Sequence, residues 1–126
     1  MGKPAEKSIS VSEDVQSFAR MKELFADPPA EFRVAPLWVW NGIMTREVID
    51  RQLAEFKEQG MGGVFIHPRP GLVTPYLSQE WFDLCRYSLE TGKKLGLKVW
   101  IYDENSYPSG FAGGHALHPQ LELGVA

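Results

Sequence analysis

The 126-residue sequence predicts an α/β fold with a parallel sheet, and three observations carry that expectation. Three short apolar segments recur along the chain. Two spans of helical periodicity separate them. Polar residues follow each apolar segment at once: Trp40-Asn41, His67-Pro68-Arg69 and Asp103-Glu104-Asn105. Consecutive parallel strands need a long crossover, usually a helix. The alternation therefore implies right-handed βαβ units, with helices covering the sheet.

Residues 1 to about 11 are polar and predict no regular structure. A short helix is expected from Glu13 to Phe25. Ser12 is placed to cap it, Glu13 and Asp14 suit its positive end, and Val15, Phe18, Leu24 and Phe25 give a partial apolar stripe. Asp27-Pro28-Pro29 stops it. Residues 1–27 thus read as an N-terminal extension and 28–126 as the main domain.

Pro36–Asn41 (PLWVWN) reads as a buried strand, short, aromatic and β-branched, ended by Gly42. Thr45 caps the next helix, where Ile49, Leu53 and Phe56 share one face. Gly60, Gly62 and Gly63 end it. Val64–His67 is the second strand. The proline-rich run PRPGLVTPYL leads to Ser78, the cap of a second long helix whose apolar side is Trp81, Phe82, Cys85 and Leu89. It runs to about Leu95 and closes at Gly96. Leu97–Asp103 is the third strand, and the tail HALHPQLELGVA is too short for a further unit.

A (β/α)₈ barrel typically takes about 250 residues and eight strands. Three strands, apolar on both faces, leave one layer of side chains without a partner and two edges open. The sequence therefore predicts the first three βα units of an incomplete TIM-type (β/α)₈ barrel, with a small open α/β domain as the alternative. Self-association through the open sheet edges follows from that reading.

Composition excludes several classes of function. The chain is 44% hydrophobic and 23% charged with a net charge of −3, and it has no Lys/Arg cluster, which argues against nucleic acid or an anionic membrane as partner. Its one cysteine, Cys85, rules out an internal disulfide and a cysteine-based zinc site, and a passive, half-buried thiol is expected. The start MGKPAEKSISVSED has no apolar signal core, and no window approaches the ~20 apolar residues of a membrane span. A soluble, cytoplasmic chain is the expectation. The aromatic share, 12% with four Trp, suits either a core or stacking on flat ligands such as sugar faces.

In a parallel sheet the three polar strand ends lie side by side on one rim, about 4.8 Å between strands. That rim is where α/β proteins build their sites. An amide, an imidazole, a guanidinium and carboxylates together suit several hydroxyls, hence a carbohydrate. The catalytic candidates are Glu104 and Asp103. The substrate-binding candidates are Trp40, Asn41, His67, Arg69, Asn105 and Tyr107.

Each residue also has a plain structural role open to it. Asp103 and Glu104 fit a helix cap and a surface acid, His67 a core histidine, Arg69 an ion pair, the tryptophans a core. Trp38 and Trp40 share one face of their strand, as do Trp100, Tyr102 and Glu104 of theirs, with Asn41 and Asp103 opposite. Which face turns inward stays open. Ser109–Gly114 lacks a P-loop lysine and G-x-G-x-x-G spacing, so it reads as a tight rim loop and not a phosphate cradle. No metal is assigned: EF-hand spacing, H-E-x-x-H and H-x-H are absent, and Asp103, Glu104 and Asn105 leave calcium as the candidate ion.

The motifs PLWVWNG, QLAEFKEQGMGGVFIHPRPGL, TPYLSQEWFDLC, GLKVWIYDEN and YPSGFAGG, over residues 28–114, together resemble the start of the catalytic barrel of bacterial glycoside hydrolases related to the α-L-rhamnosidase family. The resemblance implies a (β/α)₈ barrel that cleaves O-glycosidic bonds with two carboxylic acids. It also implies an association with calcium, and a sugar-binding end lined by Asn41, His67, Arg69, Asp103 and Glu104. Barrel glycosidases commonly take their acid pair from later strands, which leaves Asp103 and Glu104 as catalytic acids or as hydroxyl-binding groups. Relatives of this kind are often secreted or periplasmic, unlike the reading from the amino terminus. The alternatives are a non-catalytic carbohydrate-binding α/β module and an inactive truncated gene product.

Overall fold

The three apolar segments form strands β1 (Leu37–Trp40), β2 (Gly63–Pro68) and β3 (Lys98–Ile101), all parallel and in the order β1-β2-β3. The computed structural model describes residues 17–117. β1 stops short of Asn41 and β3 short of Tyr102, although single ladder bonds reach further: Arg69 N–H donates to Trp40 O (3.0 Å) and Tyr102 N–H to Ile66 O (2.9 Å).

Helix α2 (Arg46–Glu58) joins β1 to β2, and α3 (Gln79–Leu95) joins β2 to β3. The hydroxyl of Thr45 accepts from Val48 N–H, and that of Ser78 from Trp81 N–H, as the sequence predicts. The Thr45 hydroxyl also bonds Glu47 and holds its carboxyl below the usual range. Both helices end in the same device. Met61 N–H bonds Phe56 O while Gly60 N–H bonds Lys57 O, and Leu97 N–H bonds Gly92 O while Gly96 N–H bonds Lys93 O. Each of these is a Schellman motif, which requires the positive φ that Gly60 (75°) and Gly96 (69°) supply.

Both helices lie on one side of the sheet. Trp38 Nε1 donates to Gln52 Oε1 of α2 (2.8 Å), and the Phe56 ring meets the Trp38 ring edge-on at 5.9 Å. Trp38, Trp40, Val64, Ile66, Ile49, Leu53, Leu84 and Cys85 form the core between them. Burying one such side chain is worth roughly 1.5–3 kcal/mol. Tyr87 of α3 donates its hydroxyl to the Asp50 carboxylate of α2, 2.8 Å from either oxygen, and so ties the helices together.

Four expectations are corrected. The buried seam of α3 is Trp81, Leu84, Cys85, Ser88 and Gly92, while Phe82 and Leu89 are exposed. Small residues decide this: a methyl on Gly92 would strike Val99 Cγ2, so only that seam can approach β3 closely. The strands are not buried on both faces, since Leu37, Val39 and Trp100 stay exposed where no helix covers them. Cys85 is fully buried, not half-buried.

The fourth concerns the amino-terminal helix. α1 spans Phe18–Ala26 and is capped by Ser17, whose hydroxyl accepts from Arg20 N–H. Ser12, Glu13, Asp14 and Val15 lie outside the described residues. No residue of α1 is buried, and Phe18 and Phe25 stand in solvent. A 3₁₀ turn over Ala30–Phe32, which the sequence reading lacks, follows the prolines. Arg33 then staples this segment to the turn after α2, donating to Pro28 O (2.6 Å), Gly60 O (3.2 Å) and the Asp27 carboxylate (2.6 Å). Among the described residues no helix is long and apolar enough to cross a membrane.

Candidate functional site

Register and pleat assign every strand residue to a face. Cα partners across a parallel pair point to the same side, so Leu37, Phe65 and Trp100 make one row on the face the helices leave open. Phe65 and Trp100 stack there, ring centroids 4.7 Å apart and planes 15° from parallel. One step up, Val39 pairs with His67. The ladder bond from Tyr102 brings that residue beside His67, ring centroids 4.5 Å apart. Asn41, Arg69 and Glu104 lie beyond the last ladder pairs, and alternation continued one step further would set them at the top of the same three columns. The open face is thus apolar below and polar at the rim.

His67 is 4% exposed, and its Nδ1 has no hydrogen-bond partner. Burial pushes its pKa below the ordinary value and the nearby Arg69 charge pushes the same way, while Glu104 opposes them. The imidazole is therefore neutral at pH 7, with one polar atom left to satisfy. An unpaired buried polar atom is costly, and this one is closed off from solvent.

The acids are held by a residue the sequence reading did not single out. Ser109 Oγ lies 3.0 Å from Glu104 Oε2 and 3.4 Å from Asp103 Oδ1, so its one proton serves the closer Glu104 best. Tyr102 adds a longer contact to the same Glu104 oxygen (3.5 Å). Ser109 opens an irregular 3₁₀ segment, Ser109–Leu117, which turns through positive φ at Ala112, Gly113 and Gly114.

Tyr76 braces this loop from the β2 side. Its hydroxyl donates to Asp103 O (3.2 Å), its ring meets Trp81 edge-on at 5.1 Å, and its own carbonyl lies 3.0 Å from His115 Nε2. A methyl on Gly113 would sit 2.7 Å from the Tyr76 ring, so only glycine allows this contact. Burial, with help from Asp103, raises the Tyr76 pKa. Neither Tyr76 nor His115 stands out in the sequence, because nothing local marks a contact that spans 27 or 39 residues.

The remaining candidates are dispersed. Trp40 is 0% exposed on the helix-covered face, so it offers no ring to a ligand. Tyr107 is 87% exposed and makes no ring contact among the described residues. Asn105 sets its side-chain amide against Gly113. Among the described residues no three His, Cys, Asp or Glu side chains are grouped to hold a metal ion. Asp103 and Glu104 meet at Ser109 while Asn105 turns to Gly113, so the three oxygen donors do not fit a calcium site, and no chemistry is routed through one.

No family model matches the chain. Known proteins do, among them the following two. The "Putative beta-glucuronidase" of Formosa agariphila is 23% identical over 114 residues, which covers 86% of this chain and 10% of that protein. The structure of a rhamnosidase from Novosphingobium sp. PP1Y superposes with a TM-score of 0.57 at 28% identity, covering 70% of this chain and 9% of the rhamnosidase. The chain thus spans about a tenth of the length of either protein. In sequence and in fold it is similar to glycoside hydrolases, a rhamnosidase among them.

Proposed function

We propose that the rim of the open face binds sugar, and that the chain supplies the first βα units of a glycosidase catalytic barrel of the α-L-rhamnosidase kind. What carries this reading is that alternation continued past the last ladder pairs, Trp40↔Pro68 and Ile66↔Ile101, brings Asn41, Arg69 and Glu104 to one end of the sheet face that no helix covers. In this reading further βα units pack against Leu37, Val39, Phe65 and Trp100, and the row above them faces the enclosed substrate.

Hydrolysis of a glycoside needs one carboxyl group that protonates the leaving oxygen and a second that acts as nucleophile or base. Glu104 takes the first role, its carboxyl oriented by Ser109. Asp103 is the second carboxylate in reach. Both carboxylates meet the Ser109 hydroxyl. Neutral His67 and the Asn41 amide contact sugar hydroxyls.

The test is turnover of an aryl glycoside panel that includes the α-L-rhamnoside. Activity lost in Glu104→Gln with an unchanged melting temperature supports the reading. A second reading, sugar binding without catalysis, takes Asp103 and Glu104, which both meet the Ser109 hydroxyl, as hydroxyl-binding groups. It predicts calorimetric binding that His67→Ala or Asn41→Ala weakens, with no turnover. A folded chain that neither turns over nor binds any sugar of the panel would end both.

A further inference from the structure

Asn41 follows β1 directly and is itself followed by Gly42, while the other asparagine of the chain, Asn105, precedes Ser106. Asn41 is exposed and belongs to neither strand nor helix. Among the described residues its side-chain amide makes no hydrogen bond, and the Gly42 N–H donates none. A methyl built on Gly42 would have nothing within 4 Å. The Gly42 nitrogen is thus open to water and unshielded, since glycine has no side chain to keep another group off its backbone.

The carbonyls around this pair are held. Trp40 O accepts from Arg69 N–H (3.0 Å), and Gly42 O accepts from Val73 N–H (3.1 Å). Between them sits Gly71, at φ 103°, so close that a methyl there would lie 2.7 Å from Asn41 O. Segment 69–73 is therefore seated on three consecutive carbonyls at the end of β1.

We infer that Asn41–Gly42 is a site of spontaneous deamidation, and that its isoaspartate product unseats segment 69–73 from the end of β1. The reaction needs no ligand and does not depend on the rim binding sugar. The Gly42 nitrogen attacks Cγ of Asn41 and forms a C–N bond. The side-chain nitrogen leaves as ammonia, taking the Gly42 proton with it, and a succinimide ring closes. Water then opens the ring at either carbonyl. Breaking the new C–N bond gives aspartate. Breaking the original peptide bond gives isoaspartate, whose main chain runs through Cβ and Cγ.

Both products turn a group that donates and accepts into a carboxylate that only accepts. Aspartate leaves the backbone as it was. Isoaspartate adds a carbon to the main chain between Trp40 O and Gly42 O, so the bonds to Arg69 and Val73 lose their common spacing. Asn105 is the control within the same chain. It is half-buried, a methyl on Gly113 would lie 3.0 Å from its amide nitrogen, and the Cβ of Ser106 shields the attacking nitrogen.

The test is to age the full chain in mildly alkaline buffer and follow it by isoelectric focusing and by peptide mapping with isoaspartate detection. An acidic species should grow and map to Asn41, as a mixture of aspartate and isoaspartate. Gly42→Ala should slow it by about tenfold, roughly 1.4 kcal/mol on the barrier. Asn105→Gln should leave its rate unchanged. The aged acidic species should melt below the Asn41→Asp variant, because only isoaspartate disturbs the main chain. A native chain that keeps Asn41 intact while the guanidinium-unfolded chain converts would overturn the site, since the fold would then protect the pair. Modification at Asn105 first, or an equal rate in Gly42→Ala, would overturn it too. Equal melting of the aged species and Asn41→Asp would overturn the unseating of segment 69–73.

Discussion

The imidazole of His67 on β2 packs on the phenol ring of Tyr102, the residue that follows the neighbouring parallel strand β3, centroids 4.5 Å apart and planes tilted by 50°. Their strands run side by side only because α3 returns the chain to the same end of the sheet. The contact shuts the imidazole away from water and leaves its Nδ1 unpaired.

That burial makes stability depend on pH. The His67 pKa is lowered from 6.5, so below that value the unfolded chain takes up a proton that the native chain refuses. Stability therefore rises with pH through the window just beneath 6.5 and is lost as pH falls through it. The melting temperature should drop between pH 7 and pH 5, and His67→Gln should flatten that slope. Parallel slopes in the two proteins would show that His67 does not carry the effect.

Two glycines separate close packing from simple backbone freedom. Gly92→Ala forces a methyl into Val99 and toward Leu97 O at 3.3 Å, and should cost about 1–3 kcal/mol in urea unfolding. Gly42 has nothing within 4 Å, and Gly42→Ala should be neutral or stabilising by up to about 1 kcal/mol. Equal losses at both positions would contradict the tight α3–β3 seam.

Cys85 should behave as a hydrophobic residue. It is 2% exposed, and burial pushes its thiol up to about 12. The thiolate is the reactive form, so labelling by a disulfide reagent at pH 8 should be slow in the native chain and fast in denaturant. Rapid native labelling would mean that α3 opens readily.

The uncovered face should bring copies of this chain together. Leu37, Val39 and Trp100 are 51%, 44% and 40% exposed on this face, and among the described residues β3 is an unpaired edge. Sedimentation should show association that grows with concentration, and Val39→Lys should reduce it. A monomer at all concentrations would count against the open face as a sticky surface.

The order of strands and helices is legible in the sequence because each signal is local. Thr45 and Ser78 cap their helices through bonds that span three residues, and Gly60 and Gly96 take the backbone shape other residues resist. Trp38 and Trp40 share a face because strand side chains alternate. Rim geometry is legible in part: the strand ends do lie side by side, and His67 and Tyr102 meet on the uncovered face. Trp40 does not join them, since alternation gives a face to a residue but cannot say which face a helix will cover.

By itself the sequence determined the alternation of strand and helix, the caps, and the delivery of polar residues to one end of a parallel sheet. Those features follow from chemistry among residues a few positions apart. Only the tertiary structure decided which face stayed open, which seam of α3 was buried, and which groups hold the acids. Each of these is settled by how closely distant segments approach, Gly92 against Val99 or Tyr76 against Gly113, and nothing in the local pattern of either partner encodes that distance.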